Sequence, residues 1–420
     1  MEKQRTYLCI DMKSFFASVE CAERGLSPFE TNLVVADESR GKGAITLAIT
    51  PKMKALGVRN RCRLFEIPKN IDYIIALPHM SLYIKYCANI FDIYLDYFSP
   101  DDIHQYSIDE AFIDVTDYLS IYKLEPKQLA KKIINEIAER THIPATCGIG
   151  TNLYLAKIAL DITAKHCKDH IGMLDEETFK ETLWEHRPIT DFWNIANGIA
   201  TRLARYGIHD MKGVATAPED LLYRNFGKNA KLLIDHANGK ESCTIADIKN
   251  YKGKSKSISN SQILFSDYAY DKAYIVIQEM ALSGCQRLLK EHLIASHVGI
   301  SVGYSKDAAP ATGGTLKMAN STNLYSMVKE YVDRIFEDTT HQDIPIRRLA
   351  ICFSGLVDES AEGYDLFTDL DALQKERNVE KAVLEIKEKF GKNAMLRGFD
   401  LQEGATQKER NKLIGGHNGG

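Results

Sequence analysis

The amino-acid sequence reads as a multidomain α+β protein, and three observations lead there. At 420 residues the chain is too long for one ordinary hydrophobic core, so three or four domains are expected. Up to residue 172, short apolar runs rich in β-formers alternate with amphipathic stretches, the pattern of a sheet with helices layered on one face. Further on, residues 257–353 follow the order β-α-β-β-α-β, which is a compact unit by itself.

Taken in order, Tyr7-Leu8-Cys9-Ile10 is a short apolar run and reads as a buried strand. Ser14 is placed to cap a helix whose face includes Phe15, Val19 and Ala22. Residues 32–36 and 45–49 read as strands around a turn at 41–43, and Pro51 opens a helix that stops at Gly57. Strands at 71–77, 106–115 and 146–150 and helices at 81–98, 128–141 and 153–163 complete this part. Over 176–239 the strand signal disappears, and short helices separated by Gly and Asn replace it. The polar, basic residues 252–256 read as a linker. The last unit has strands at 257–265, 296–304, 311–318 and 347–353 and helices at 270–289 and 324–337. Beyond residue 356 one helix is expected, at 379–390, and the closing Gly-Gly-His-Asn-Gly-Gly reads as a frayed tail.

Composition excludes more than it selects. Charged residues at 26% and apolar ones at 45% are ordinary for a globular protein. The net charge of -4 is no sign of a nucleic-acid partner, although only the local distribution of charge matters for phosphate contact. Nine scattered cysteines without a C-x-x-C read as reduced thiols of a cytoplasmic protein, not as a disulfide frame. His166, Cys167 and His170 match none of the common zinc spacings. The apolar run at the N-terminus ends at Asp11, too short for an export signal, and no stretch is long enough to span a bilayer.

Chemistry enters with the acids. Asp11 follows directly on a buried strand, and Asp109-Glu110 stand side by side in an apolar strand pattern. A regular strand would send one of that pair into a core, whereas a bend or hairpin tip would let both face outward. There a divalent cation could neutralise them. On spacing alone, a simple turn pair is the favoured explanation of Asp109 and Glu110.

The surrounding motifs carry a resemblance. The stretch from Asp11 to Glu20, Asp-Met-Lys-Ser-Phe-Phe-Ala-Ser-Val-Glu, resembles the opening motif of Y-family translesion DNA polymerases. Ser107-Ile108-Asp109-Glu110-Ala111 resembles the family's Ser-Ile-Asp-Glu-Ala motif. Cys147-Gly148-Ile149-Gly150-Thr151-Asn152 and Leu155-Ala156-Lys157-Ile158-Ala159 resemble its third. The chain is thus similar to the UmuC-like branch, and to its Gram-positive UvrX-type members. The resemblance implies a right-hand polymerase that adds dNTPs to a primer 3′-end by two-metal nucleotidyl transfer, specialised for damaged templates in DNA repair. It implies a palm at 1–20 and 79–172, small fingers at 21–78, a helical thumb at 173–241, a linker at 242–256, a little finger at 257–355 and a tail at 356–420.

Carried over position by position, Asp11, Asp109 and Glu110 are the catalytic carboxylates, joined by the backbone carbonyl of Met12 in holding two Mg²⁺ ions. Phe16, beside Phe15, takes the place of the steric gate that excludes a 2′-hydroxyl. By helical spacing alone it would be a core aromatic. Lys157 and Lys54 take the places of triphosphate contacts, where a bland reading has solvated lysines. This sequence departs from the family between Gly43 and Pro51, where the usual phosphate-binding tyrosine has no counterpart and Thr50 is the substitute hydroxyl. Lys13 stands where many relatives have Asn or Asp.

Grip on primer-template DNA is assigned to Asn197 and Gly198, in an apolar-Gly-apolar turn like a helix-hairpin-helix, with a weaker copy at Phe226-Gly227-Lys228-Asn229. Independently of the family, Lys254, Lys256, Lys317, Arg347 and Arg348 lie on or beside strands, and residues 255–265, 294–306, 310–322 and 344–356 contain no acid. An open, polar and positive sheet face is expected there. Gly363-Tyr364-Asp365-Leu366-Phe367 resembles the sliding-clamp peptide of bacterial polymerases, with Leu366 and Phe367 as its apolar anchor. The sequence leaves open a UmuD-like accessory subunit or a recombinase filament. A non-catalytic scaffold of the same fold, a nucleotidyl cyclase and a DNA-binding repair factor of another class are the rival readings. Intact carboxylates disfavour the first, the thumb and basic sheet are unnecessary for the second, and the triphosphate lysine disfavours the third.

Overall fold

Strand β1 (Tyr7–Met12) is buried on both faces, because its alternate side chains enter two different apolar clusters. Leu8, Ile10 and Met12 pack with Phe15, Tyr83, Ile90, Ile133 and Ile137 of the helices Phe15–Ala22, Met80–Leu95 and Pro126–Thr141. Tyr7 and Cys9 face the other way, onto Phe112, Leu153, Ala156 and Leu160. The computed structural model describes residues 4–41, 43–253, 257–364 and 368–419. The chain divides into two units, Met1–Tyr251 with Gly419–Gly420, and Lys252–Asn418.

In the first unit, β2 (Leu33–Val35), β3 (Ala48–Ile49) and β4 (Ile74–Ala76) form a small sheet of order β3-β2-β4. It has its own core of Val34, Ile49, Met53, Val58 and Ile67. Strands β5 (Ile103–Gln105), β6 (Glu110–Asp114), β7 (Ala145–Gly150) and β8 (Ile171–Leu174) join β1 in a five-stranded sheet of order β5-β6-β1-β7-β8. All its pairs are antiparallel except β7 with β8. Five helices, Glu176–Leu183, Asn197–Ala204, Met211–Thr216, Glu219–Phe226 and Asn229–Ala237, close around Phe179, Phe192, Leu203, Met211 and Leu233.

The second unit is built on β9 (Ser257–Tyr268), β10 (Leu293–Tyr304), β11 (Thr312–Thr322) and β12 (Ile346–Asp358), in the order β11-β10-β12-β9 with every pair antiparallel. Helices Tyr270–Lys290 and Tyr325–Thr339 cover one face through Val276, Met280, Val332 and Phe336, packed on Val298, Val302, Leu349 and Phe353.

Several expectations change. The strand or hairpin arm foreseen at 106–115 is the second arm of a hairpin: β6 starts only at Glu110, and residues 106–109 form the tight bend from β5, in which the Tyr106 and Ser107 N–H groups both donate to the Glu110 carbonyl. The strand at 45–49 shrinks to β3, with Ile45 in an isolated bridge to Arg63. Ser14 caps nothing: it sits at φ 49°, in the left-handed region. The helix at 153–163 is α-helical over Leu153–Ile158 and then widens into a π turn at Ala159–Thr163.

The stretch 242–256 is not all linker. It contains a helix, Ile245–Asn250, closed by a Thr244/Asp247 capping box, and Ile245 is buried in the cluster of Tyr7 and Cys9. Beyond β12 the chain is more ordered than its glycines suggest. The helix is Leu370–Phe390, started by Asp369 accepting from the Ala372 N–H, and the closing residues pair Leu413–Ile414 with His417–Asn418 in place of a frayed end. The buried carboxylate of Glu279 fastens this segment by accepting from the backbone of Thr406 and Gln407 and from the Thr406 hydroxyl. Among the described residues, no helix is long and apolar enough to cross a membrane.

Candidate active site

The register of β1 on β6 sets Asp11 directly opposite Glu110, which brings their Cβ atoms within about 5 Å. Side chains alternate along both strands, so the two acids share the face that carries Cys9 and Phe112. Asp109 is one residue outside β6, in the hairpin bend. The Met12 N–H donates to its carbonyl at 2.9 Å, and the Ser107 hydroxyl donates to its carboxylate at 2.7 Å. The bend thus resolves the conflict of two adjacent acids in one strand: Glu110 takes the buried position and Asp109 the partly open one.

Burial, and then repulsion by Asp109 and Glu110, push the Asp11 carboxyl up to about 7; Lys157 offsets part of this. Glu110 is 7% exposed and both its oxygens are engaged. The Cys9 thiol donates to Oε1 at 3.2 Å and the Lys157 ammonium to Oε2 at 2.9 Å. Burial and the neighbouring Glu110 raise the Cys9 thiol well above its ordinary value, keeping it a donor. Burial works against the Lys157 ammonium, but Asp161 and Glu110 outweigh it and raise its pKa.

Glycines decide how Lys157 reaches Glu110. The helix Leu153–Ile158 and its π turn lie directly on β7 and β8. A Cβ on Gly148 would sit 2.1 Å from the Ala156 carbonyl oxygen, one on Gly150 2.1 Å from the Ala156 nitrogen, and one on Gly172 2.4 Å from the Ala159 carbonyl oxygen. No side chain other than hydrogen fits at these three places.

Around this centre the anticipated residues fall into different roles. Phe16 is half-buried and stacks on the Tyr83 ring, with centroids 4.6 Å apart. Tyr83 is itself held by its hydroxyl donating to buried Glu20 at 2.7 Å. Phe15 is 2% exposed and its ring packs in the core. Lys54 lies in the field of Asp11, and so does Lys13. Burial lowers both lysines, the charge of Lys165 adding to the effect at Lys54 and that of Lys54 at Lys13. Thr50 is not a spare hydroxyl. It is fully buried, donates to the Thr31 carbonyl at 2.8 Å and accepts from the Leu33 and Met53 N–H groups as the cap of Pro51–Ala55.

Asn197 and Gly198 are exposed at the start of the helix Asn197–Ala204. The weaker turn is the one that needs glycine, because Gly227 takes φ 58° between two helices. In the second unit Lys317 and Arg348 are exposed, and Gly303 pairs Arg348 while His297 pairs Lys317. Arg347 is compensated by Asp267 at 3.4 Å, an acid that lies on β9 because this strand runs three residues beyond the expected end. Lys254, Lys256, Leu366 and Phe367 lie outside the described residues. Sequence reading missed Cys9 and Asp161. The four-residue spacing of Lys157 and Asp161 on a helix was the available signal for the second. Nothing marked Cys9.

The donor chemistry fits a divalent cation: hard carboxylate oxygens gathered at one end of two neighbouring interior strands, with mutual repulsion that positive charge would relieve. Among the described residues, no three acidic, His or Cys side chains are drawn around one point. Glu110 turns one oxygen to Cys9 and the other to Lys157, and each oxygen keeps a further lone pair that a cation could use.

Paired carboxylates on neighbouring strands of a largely antiparallel sheet, beside a buried lysine, fit the class of nucleotidyl-transferring polymerase palms, and the comparisons with known proteins specify it. Residues 10–161 match the impB/mucB/samB family and residues 255–366 its C-terminal domain. DNA polymerase IV 2 of Bacillus subtilis (strain 168) is 31% identical over 99% of this chain and 100% of its own length. The protein named for UV-damage repair in the same organism, UvrX, is 29% identical over 99% and 98%. The solved structure of a Y-family DNA polymerase chimera, Dbh-Dpo4-Dbh, shares the fold with a TM-score of 0.63, over 84% of this chain and 99% of the chimera at 20% identity. The chain belongs to the impB/mucB/samB family, the UmuC-like Y-family DNA polymerases.

Proposed function

We propose that this polymerase performs template-directed translesion synthesis, adding dNTPs to a primer 3′-end with Asp11, Asp109 and Glu110 as its metal-binding carboxylates. The single observation that carries the assignment is the β1–β6 register, which places Asp11 across from Glu110 with Asp109 in the adjoining bend. The Met12 carbonyl completes the donor set, and the ions are two Mg²⁺. Bound there, such ions supply activation of the primer hydroxyl and stabilisation of charge on the departing pyrophosphate. Phe16, braced by Tyr83, closes the space beneath the sugar and selects deoxynucleotides. Lys157, with Lys54 nearby, offers ammonium charge to the triphosphate. Lys317, Arg348 and the exposed N–H groups at Asn197 and Gly198 hold the duplex backbone without reading bases. Lys254 and Lys256 add positive charge to the same task. A bacterial sliding clamp engaging Leu366 and Phe367 keeps the enzyme at the primer end, and the site of action is the cytoplasm.

Primer extension tests the centre. Asp109→Ala and Glu110→Ala should each abolish dNTP addition on intact and damaged templates while primer-template affinity stays within about twofold. Extension at near wild-type rates by either variant overturns the catalytic assignment.

A further inference from the structure

Lys157 is shared between two carboxylates, and only one of them belongs to the candidate metal set. Its Nζ donates to Glu110 Oε2 at 2.9 Å and to Asp161 Oδ1 at 3.1 Å. The lysine is 8% exposed, while the Asp161 side chain is 33% exposed. An ammonium has three N–H donors, so with two engaged one remains.

The backbone around this pair has almost no freedom. The helix bearing Lys157 rests on Gly148, Gly150 and Gly172, where its main chain leaves no room for a methyl group. The segment that carries Asp161 is the π turn Ala159–Thr163, a local widening that occurs frequently at functional sites. The freedom left to Lys157 is that of its flexible four-carbon stem. A buried cation beside Asp11, Asp109 and Glu110 would otherwise settle as their counter-ion. Asp161 is the second carboxylate on the same ammonium, so Lys157 is shared between it and Glu110.

We propose that Asp161 is a positioning residue for the polymerase reaction, aiming Lys157 so that its remaining N–H meets the triphosphate of the incoming nucleotide. The inference rests on the reading of Lys157 as a triphosphate contact. Asp161 itself touches no reacting atom. Its effect should therefore appear in nucleotide affinity, not in turnover. An ordinary pair four residues apart on a helix would contribute a little stability and nothing to substrate binding.

The experiment compares wild type, Asp161→Asn, Asp161→Glu and Lys157→Ala, each as the full chain. It reads KM and kcat for dNTP, the affinity of a non-hydrolysable dNTP analogue, primer-template affinity and melting temperature. Asp161→Asn is expected to raise the dNTP KM and the analogue Kd by about tenfold, with kcat and DNA affinity within about twofold. Asp161→Glu should recover most of the loss. If Lys157→Ala raises KM and Asp161→Asn does not, the inference is overturned and the reading of Lys157 stands. If Lys157→Ala leaves KM and analogue affinity unchanged, the reading of Lys157 fails and takes the inference with it. A large drop in melting temperature for Asp161→Asn, with KM unmoved, assigns Asp161 to the fold and also overturns the proposal.

Discussion

In the five-stranded sheet Glu110 and Lys157 are buried side by side at 2.9 Å, whereas in the four-stranded sheet Lys317 and Arg348 stand exposed. Both sheets bury an apolar face under helices. They differ in what the other face carries. On the first, a second apolar cluster and the helix Leu153–Ile158 cover the charges, so water cannot screen them. On the second, the positions alternating with Val298, Ile300 and Val302 are Gly299, Ser301 and Gly303, and across from them lie Thr315, Ala350 and Cys352. Small side chains leave that face open, and its exposed bases face solvent. Under the proposed function the contrast is one between chemistry and grip. Buried charges act within a few ångströms and are little affected by salt, while exposed ones are screened over roughly 8–10 Å at physiological ionic strength.

The largest effect is expected of Asp11→Asn, which should lower extension by about a thousandfold or more. The same change should stabilise the protein. The folded carboxyl titrates at about 7 against an ordinary 3.8, so between those values the folded chain holds a proton that the unfolded chain releases. Its charge therefore costs stability as pH rises from about 4 through 7. In chelator-treated buffer the variant should match wild type near pH 4 and melt a few degrees higher at pH 8. A variant that melts no higher at pH 8 breaks the account of a carboxylate cluster under repulsion.

Next in size is Phe16→Ala. Removing the ring stacked on Tyr83 should raise ribonucleotide use relative to deoxynucleotide by about ten- to hundredfold, at low and high salt alike. A ratio that stays put would return Phe16 to the role of a core aromatic. The second sheet should respond more mildly and in a salt-dependent way. Lys317→Ala and Arg348→Ala should each weaken primer-template binding by about three- to tenfold and reduce the slope of log affinity against log salt by about 1. Their kcat at saturating DNA should not change. Equal losses at 50 and 300 mM salt would erase the distinction between the two sheets. The smallest effect on extension is expected of Leu366→Ala with Phe367→Ala. Distributive synthesis should stay at wild-type rate while clamp affinity falls, and an unaltered clamp affinity removes that peptide from the scheme.

Asp11, Asp109, Glu110 and Lys157 are legible in the linear chain because each sits in a short motif whose order and spacing repeat those of a known family. The order of strands and helices in the second unit is equally legible, since the alternation of apolar residues there matches the structure element by element. Thr50 and Phe15 show the limit. A threonine before Pro51 has the composition of a phosphate contact and of a helix cap, and only its burial against Thr31 and Leu33 selects the cap. Phe15 and Phe16 are adjacent and alike, and the rotation of one helix on the sheet sends the first into the core and leaves the second half-open. Asp267 cancels Arg347 because β9 continues past the point where its propensity fades, carried by pairing with β12.

What the sequence by itself determined is the inventory: the acids, the lysine and the β-α-β-β-α-β order. All of these follow from side-chain chemistry and local periodicity. What only the tertiary structure decided is which groups meet. Asp11 faces Glu110 through a strand register, Cys9 and Lys157 engage Glu110 across about 100 and 47 positions of chain, and Asp161 shares the lysine through a π turn. Those contacts depend on how strands pair and how closely a helix can approach them, and neither quantity is written in any single stretch of residues.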